Sequence, residues 1–86
     1  MANITNSIML SSGWTKIELG LLYDYMFITH NSATDMKYSM SELEPEGGNF
    51  HIWKSGEPLE AIPSDIWVGP LVDRTVTKVS ITRFEA

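Results

Sequence analysis

Hydrophobic and polar positions along most of this chain alternate with a period of two, the period of a β-strand. Over 14–19, Thr15, Ile17 and Leu19 share one face while Trp14, Lys16 and Glu18 share the other. Met36, Tyr38 and Met40 alternate with Lys37, Ser39 and Ser41. The two methionines are therefore expected inside, with Lys37 and the serines facing water. Tyr25, Met26, Phe27 and Ile28 break the alternation by being apolar at consecutive positions. A strand covered on both faces has that pattern, so 23–29 is expected to be central or to lie at an interface. The segment 75–84 is dense in β-branched residues. Val79 and Ile81 are in phase with Thr77, and Val76 and Phe84 fall on the other face. That implies either a bulge or two covered faces.

Shorter strand candidates lie at 5–10, 50–54, 59–62 and 65–69, separated by turn-forming residues: Ser11-Ser12-Gly13, Gly20, Glu44-Pro45-Glu46-Gly47-Gly48-Asn49, Ser55-Gly56-Glu57-Pro58 and Gly69-Pro70. The break His30-Asn31-Ser32-Ala33-Thr34-Asp35 separates two strands and lacks the Asn-Gly signature of a tight turn, so 25–40 reads as a hairpin with a longer loop. Helix-forming residues at 39–46 are cut off by Pro45 and Gly47-Gly48. Strand signals at roughly 8- to 15-residue intervals favour a sandwich or a barrel. The expected fold is all-β: a single antiparallel β-sandwich over 1–86, jelly-roll-like, with six to eight strands and the chain end paired inside a sheet.

Composition narrows the function. A chain of 86 residues buries only about 60–65% of the surface its unfolded form exposes, so its stability margin is small. It has no cysteine, which removes disulfides, thiolate metal sites and thiol nucleophiles. Help from neighbouring protein is then the expected source of extra stability. The net charge is −5, with 6 Lys+Arg scattered along the sequence; no basic stripe for nucleic acid is present. The N-terminal stretch has no positive region and only a short apolar run, and no run is long enough for a membrane span. The expectation is a protein made in a cytoplasm, with neither nucleic acid nor membrane as partner.

Catalytic chemistry finds no assembled motif. His30 and His51 are far apart and lack helical or hairpin spacing to a second ligand, although distant strands could bring them to Asp24 or Asp35; no metal site is expected. No G-x-S-x-G elbow accompanies the serines. Gly47-Gly48 precedes no helix, so it offers no phosphate cradle. Glu42, Glu44, Glu46, Glu57, Glu60 and Asp65 are numerous but fall mostly in loops. The expectation is a non-enzyme without catalytic residues, metal or cofactor.

The tryptophans draw attention instead. Trp14 shares a face with Lys16 and Glu18. Trp53 is out of phase with Phe50 and Ile52, and Trp67 with Ile66 and Val68. If the aliphatic faces are inside, all three indoles point outward and mark a contact surface. Trp14, Trp53 and Trp67 are the expected protein–protein contacts, with Tyr25 and Phe27 as a second tier. The competing reading makes the same indoles sugar-stacking platforms, with Asn31, Asp35 or Glu57 as hydroxyl partners.

The order SGWTKIEL, YMFITHNSATDMKYSMSELEP, FHIWKSGEPLE, DIWVG, VTKVSIT resembles small bacteriophage virion proteins of the β-sandwich kind. In these a strand ending in an Asn-Ser turn leads to a strand with Ile or Met, any residue, Tyr, then Ser or Arg, followed by a Gly-x-x-Leu loop, a strand with Ile or Leu before Trp-Val, and a final β-branched strand. The likeness spans residues 12–83 and rests on turn chemistry and alternation. It implies a decoration or cement protein on a capsid, or a part of a head fibre or tail attachment; the leading expectation is a head decoration or accessory protein working as a symmetric homo-oligomer against a capsid or other virion protein. The sugar-binding alternative would place the chain in a host-recognition fibre.

Overall fold

The computed structural model of the chain describes residues 3–10, 13–32, 34–71 and 76–85. Eight strands run in order: β1 (Asn3–Leu10), β2 (Thr15–Ile17), β3 (Tyr25–His30), β4 (Met36–Ser39), β5 (His51–Trp53), β6 (Leu59–Ile62), β7 (Ile66–Pro70) and β8 (Thr77–Phe84). They form two four-stranded sheets, β1-β8-β3-β6 and β2-β7-β4-β5. Every pairing is antiparallel, and the described residues contain no helix. The all-β sandwich expected from the alternation is therefore present, with β8 between two neighbours as the pattern of the chain end required. Ser11, Ser12, Ala33 and Thr75, which the pattern assigns to breaks and to the start of the last strand, lie outside the described residues.

The pairing scheme is nested. β1 pairs with β8, β2 with β7, β3 with β6 and β4 with β5. The further ladders β3·β8 and β4·β7 join these four pairs into the two sheets. One expectation fails here. The segment 25–40 is not a hairpin: β3 belongs to one sheet and β4 to the other, so the connection between them is an arch from sheet to sheet. Alternation and turn residues are the same on either side of a hairpin or an arch. What separates them is the partner each strand takes, and β3 takes β8 and β6.

One apolar cluster fills the space between the sheets, and all eight strands contribute to it: Leu10, Ile17, Met26, Ile28, Met36, Trp53, Leu59, Ile62, Ile66, Val68, Val79 and Ile81, joined by Leu19 from the loop after β2. The phase problem in the last strand resolves without a bulge. β8 keeps continuous register with both β1 and β3; Thr77, Val79 and Ile81 face the core, while Phe84 stacks on Tyr25 outside at 4.9 Å. The bulge falls in β6 instead. Met26 and Ile28, two residues apart, pair with Ile62 and Leu59, three apart. The extra residue, Ala61, takes a left-handed φ of 51°, and this lets Leu59 and Ile62 both point inward. Met40 departs from expectation: it lies past the end of β4 and is exposed, whereas Ser39, opposite Trp67, is buried.

Trp53 is the second correction. It is 0% exposed, and its neighbour Ile52 is 47% exposed, the reverse of the expected phase. Register gives the reason. Met36 pairs with Trp53 and Tyr38 with His51, whereas Ile52 lies opposite the outward Lys37. Residues directly opposite in an antiparallel pair share a face, so the inward Met36 brings Trp53 inside. Its indole N–H donates to the Glu57 carbonyl at 2.5 Å, which satisfies the buried donor.

The arch is held by the turn after β5. His30, buried at the end of β3, packs edge-on against Trp53 with ring centroids 4.3 Å apart. The Ser32 amide donates to His30 Nδ1 at 3.2 Å, so the ring proton sits on Nε2, which faces the Lys54 carbonyl at 3.3 Å. Ser55 completes the clamp: its hydroxyl donates to the Ser32 carbonyl at 2.6 Å, and its amide donates to Asp35 Oδ1 at 3.0 Å.

Two outcomes follow from this packing. Trp53→Ala removes the largest fully buried side chain and is expected to cost about 3–5 kcal/mol. That is a large share of the ~4–13 kcal/mol typical for 86 residues. Urea denaturation should show the loss, and an unchanged midpoint would remove Trp53 from the core. The second concerns pH. Burial holds His30 below its ordinary value of 6.5, and the nearby Lys54 and Trp53 backbone groups and Asp35 only partly oppose this. The unfolded chain therefore takes up a proton at His30 before the folded one does, so stability is full above about pH 6.5 and falls as pH drops through that value. The denaturation midpoint should decline between about pH 7.5 and about pH 5.5, and His30→Gln should flatten that slope.

Candidate contact surface

The outer face of the β2-β7-β4-β5 sheet carries the side chains that alternate with the core residues: Lys16 on β2, Trp67 and Gly69 on β7, Lys37 and Ser39 on β4, and Ile52 on β5. Trp14, just before β2, and Phe50, just before β5, extend the same phase at the strand starts. Gly69 lets the chain before β2 pass close over β7. A Cβ there would collide with the carbonyl of Gly13, so only glycine allows that backbone to cross β7.

The aromatic rings on this face are organised around lysines. Trp14 meets Phe50 edge-on with centroids 6.1 Å apart. Lys37 Nζ lies 4.6 Å from the Trp14 centroid and 5.7 Å from that of Phe50, within cation–π range. Lys16 Nζ is 6.0 Å from the Trp67 ring and 3.6 Å from Asp65 Oδ2; Asp65 Oδ1 in turn accepts the Leu19 amide at 2.9 Å. The lysine stems cover indole surface while their heads stay in water. Trp14 and Trp67 are consequently half-buried, and the Trp67 indole nitrogen is shielded from solvent without a hydrogen-bond partner. The result is an aromatic and aliphatic face that carries Lys37 and the Lys16–Asp65 ion pair, on a chain whose net charge is −5.

The five residues chosen from the sequence do not form one surface. Trp14 and Trp67 share this face. Trp53 is in the core and has no side-chain surface to offer a partner. Tyr25 and Phe27 lie on the outer face of the other sheet, where Tyr25 stacks on Phe84. The residues reserved for a sugar are also apart from the tryptophans: Asn31 and Glu57 line a shallow depression beside Phe27, and Asp35 holds the Ser55 amide.

Pattern reading passed over two further features. Phe50, Ile52 and Lys37 complete the aromatic face, and strand pairing rather than local sequence brings them to Trp14. At one end of the sandwich, Leu21 and Leu22 in the β2–β3 loop are 105% and 77% exposed, and Leu43 in the β4–β5 loop is 81% exposed. Both loops flank the Ser64–Asp65 turn. The signal for the first two was present as an adjacent leucine pair in a turn-rich stretch, where no period explains it. Among the described residues, no cluster of three metal-ligating side chains is found. Compared with family models, curated proteins and solved structures, the chain gives no match.

Proposed function

We propose that this chain is a non-enzymatic assembly module that docks the outer face of its β2-β7-β4-β5 sheet on a neighbouring protein, and that it serves in a phage virion as a head decoration or stabilising protein. One observation carries the docking part: the half-buried Trp14, Trp67 and Phe50 share one outer sheet face with the exposed Ile52, and Lys37 lies over the Trp14 and Phe50 rings. Aromatic side chains with a cationic fringe are the composition of interface hot spots. A docking partner with an acidic rim group would pair Lys37 while its apolar centre covers the rings. The virion assignment draws on the resemblance in turn and strand order. The nested pairing β1·β8, β2·β7, β3·β6, β4·β5 supports reading the sandwich as a jelly roll, an architecture common among capsid domains.

The same face argues against the sugar-binding reading. A stacking platform presents an open ring, whereas the Lys37 ammonium already occupies the Trp14 face. The polar residues that would read hydroxyls sit on the other sheet or in the arch clamp.

Co-sedimentation with virion heads tests the proposal. Ile52→Glu adds a charge at an exposed position of the face and is expected to weaken head binding by at least about 30-fold, the loss of one hot spot of about 2 kcal/mol. Glu60→Ala, on the edge of the other sheet, should leave binding unchanged. Heads that ignore the wild-type chain, together with a glycan-induced shift in Trp fluorescence, would overturn the proposal in favour of sugar recognition.

A further inference from the structure

The two sheets have four edge strands, and three of them are blunted. β2 and β5 are three residues long, and β2 carries Lys16. β6 bears Glu60, is interrupted by the bulge at Ala61 and is flanked by Pro58 and Pro63. Short length, charge, bulges and proline are the devices that stop a sheet edge from pairing with another chain. β1 has none of them. It is eight residues long, Asn-Ile-Thr-Asn-Ser-Ile-Met-Leu, without charge or proline. Its register with β8 is unbroken from Asn3 to Leu10, so its backbone is straight enough to template a further strand. Among the described residues its only ladder is to β8, and the backbone N–H and C=O groups on its other side form an open row.

We propose that this edge binds a second copy of the same chain, β1 against β1, antiparallel about a twofold axis through Asn6. The sequence of the strand names the occupant. Read from Asn6 in both directions it is self-matching: Thr5 and Ser7, each a hydroxyl, then Ile4 and Ile8. A twofold interface must be self-complementary, residue i meeting j and j meeting i. In an antiparallel pair the opposed residues also share a face, so the register sum must be even. Centring on Asn6 meets both conditions. Ile4 lies opposite Ile8 of the second copy, Thr5 opposite its Ser7, and Asn6 opposite its own mate. Ile4, opposite Arg83 of β8, is on the core-side face but exposed. Ile8 of the second copy would cover it. Thr5 already pairs its hydroxyl with Thr82 at 3.0 Å, so the new strand continues a row of hydroxyls across the outer face. The acidic surplus of the chain lies elsewhere, and no carboxylate on the strand opposes the approach. A heterologous strand would need no palindrome.

This inference rests on the assembly reading only in that the chain works beside its own copies; it does not depend on which face meets a virion. The cysteine-free chain makes the test direct. Opposed Cα atoms in an antiparallel pair are about 4.5–5.5 Å apart, within disulfide range. Wild-type protein is expected to sediment as a dimer, and Asn6→Cys to form a disulfide-linked dimer at least about tenfold faster than Glu60→Cys on the blunted edge. A wild-type monomer, or equal cross-linking rates for the two variants, overturns the β1 pairing. A wild-type monomer that still binds heads would overturn it while leaving the docking proposal intact. A dimer that binds no heads would do the reverse.

Discussion

The contact between His30 and Trp53 joins what the chain order separates. His30 ends β3 in one sheet and Trp53 ends β5 in the other; their rings meet inside. Each ring then spends its polar atoms on the turns around it, His30 on Ser32 and Lys54, Trp53 on Glu57. A sandwich built by arching between sheets has few local hairpins to guide it, and only β4 and β5 are both consecutive and paired. Most of the loop-closure entropy is therefore spent on non-local contacts. An arch held at both ends by satisfied hydrogen bonds recovers part of that cost, and a buried neutral histidine is the element that makes the clamp sensitive to acid.

A core drawn from eight strands still leaves large apolar side chains outside in a chain of 86 residues, Leu21, Leu22, Leu43 and Ile52 among them. The apolar residues it leaves outside are informative. Single exposed apolar side chains are ordinary on any protein surface. Two tryptophans, a phenylalanine and an isoleucine on adjacent strands are different, because the sheet supplies a flat, rigid support and the rings need little ordering on contact. Glycine at position 69 fits the same packing: it leaves room for the Gly13 carbonyl, one residue before Trp14, to pass over β7.

What could be read in the sequence depended on which interactions are local. Alternation over 14–19 placed Ile17 and Leu19 inside and Trp14 and Lys16 outside, and the doubly apolar run at Tyr25–Ile28 marked a central strand, since side-chain direction follows from the pleat alone. The face of Trp53 was not fixed in that way. His51-Ile52-Trp53 alternates equally well in either phase, and only pairing with Met36 decides it. Leu59 and Ile62 violate alternation through the bulge at Ala61, which no turn residue announces. The arch between β3 and β4 looked like a hairpin loop because Asn, Ser, Thr and Asp stabilise both. In the candidate surface, Trp14 and Trp67 were legible as outward indoles, whereas Phe50, Ile52 and Lys37 reach them only through β4·β5 and β4·β7 pairing.

Under the proposed β1 pairing, edge and face would work together through the symmetry. A twofold axis that pairs β1 with itself in an antiparallel ladder stands perpendicular to the sheet and leaves its faces unexchanged. The two copies then contribute one continuous sheet, β6-β3-β8-β1 followed by its mirror order, with both core-side faces on the same side. Each copy's second sheet packs on that side, so the two outer faces bearing Trp14 and Trp67 point in a common direction. Tyr25, Phe27 and the hydroxyl row of Thr5 and Thr82 lie on the opposite side of the pair. A single copy would bring one aromatic patch to a neighbouring surface; the pair brings two, held at fixed spacing. Two weak contacts on a rigid frame gain effective concentration when the underlying surface repeats at a matching distance, and nothing otherwise. A repeating protein lattice supplies that condition, whereas an isolated partner does not, and this ties the open edge of one sheet to the aromatic face of the other.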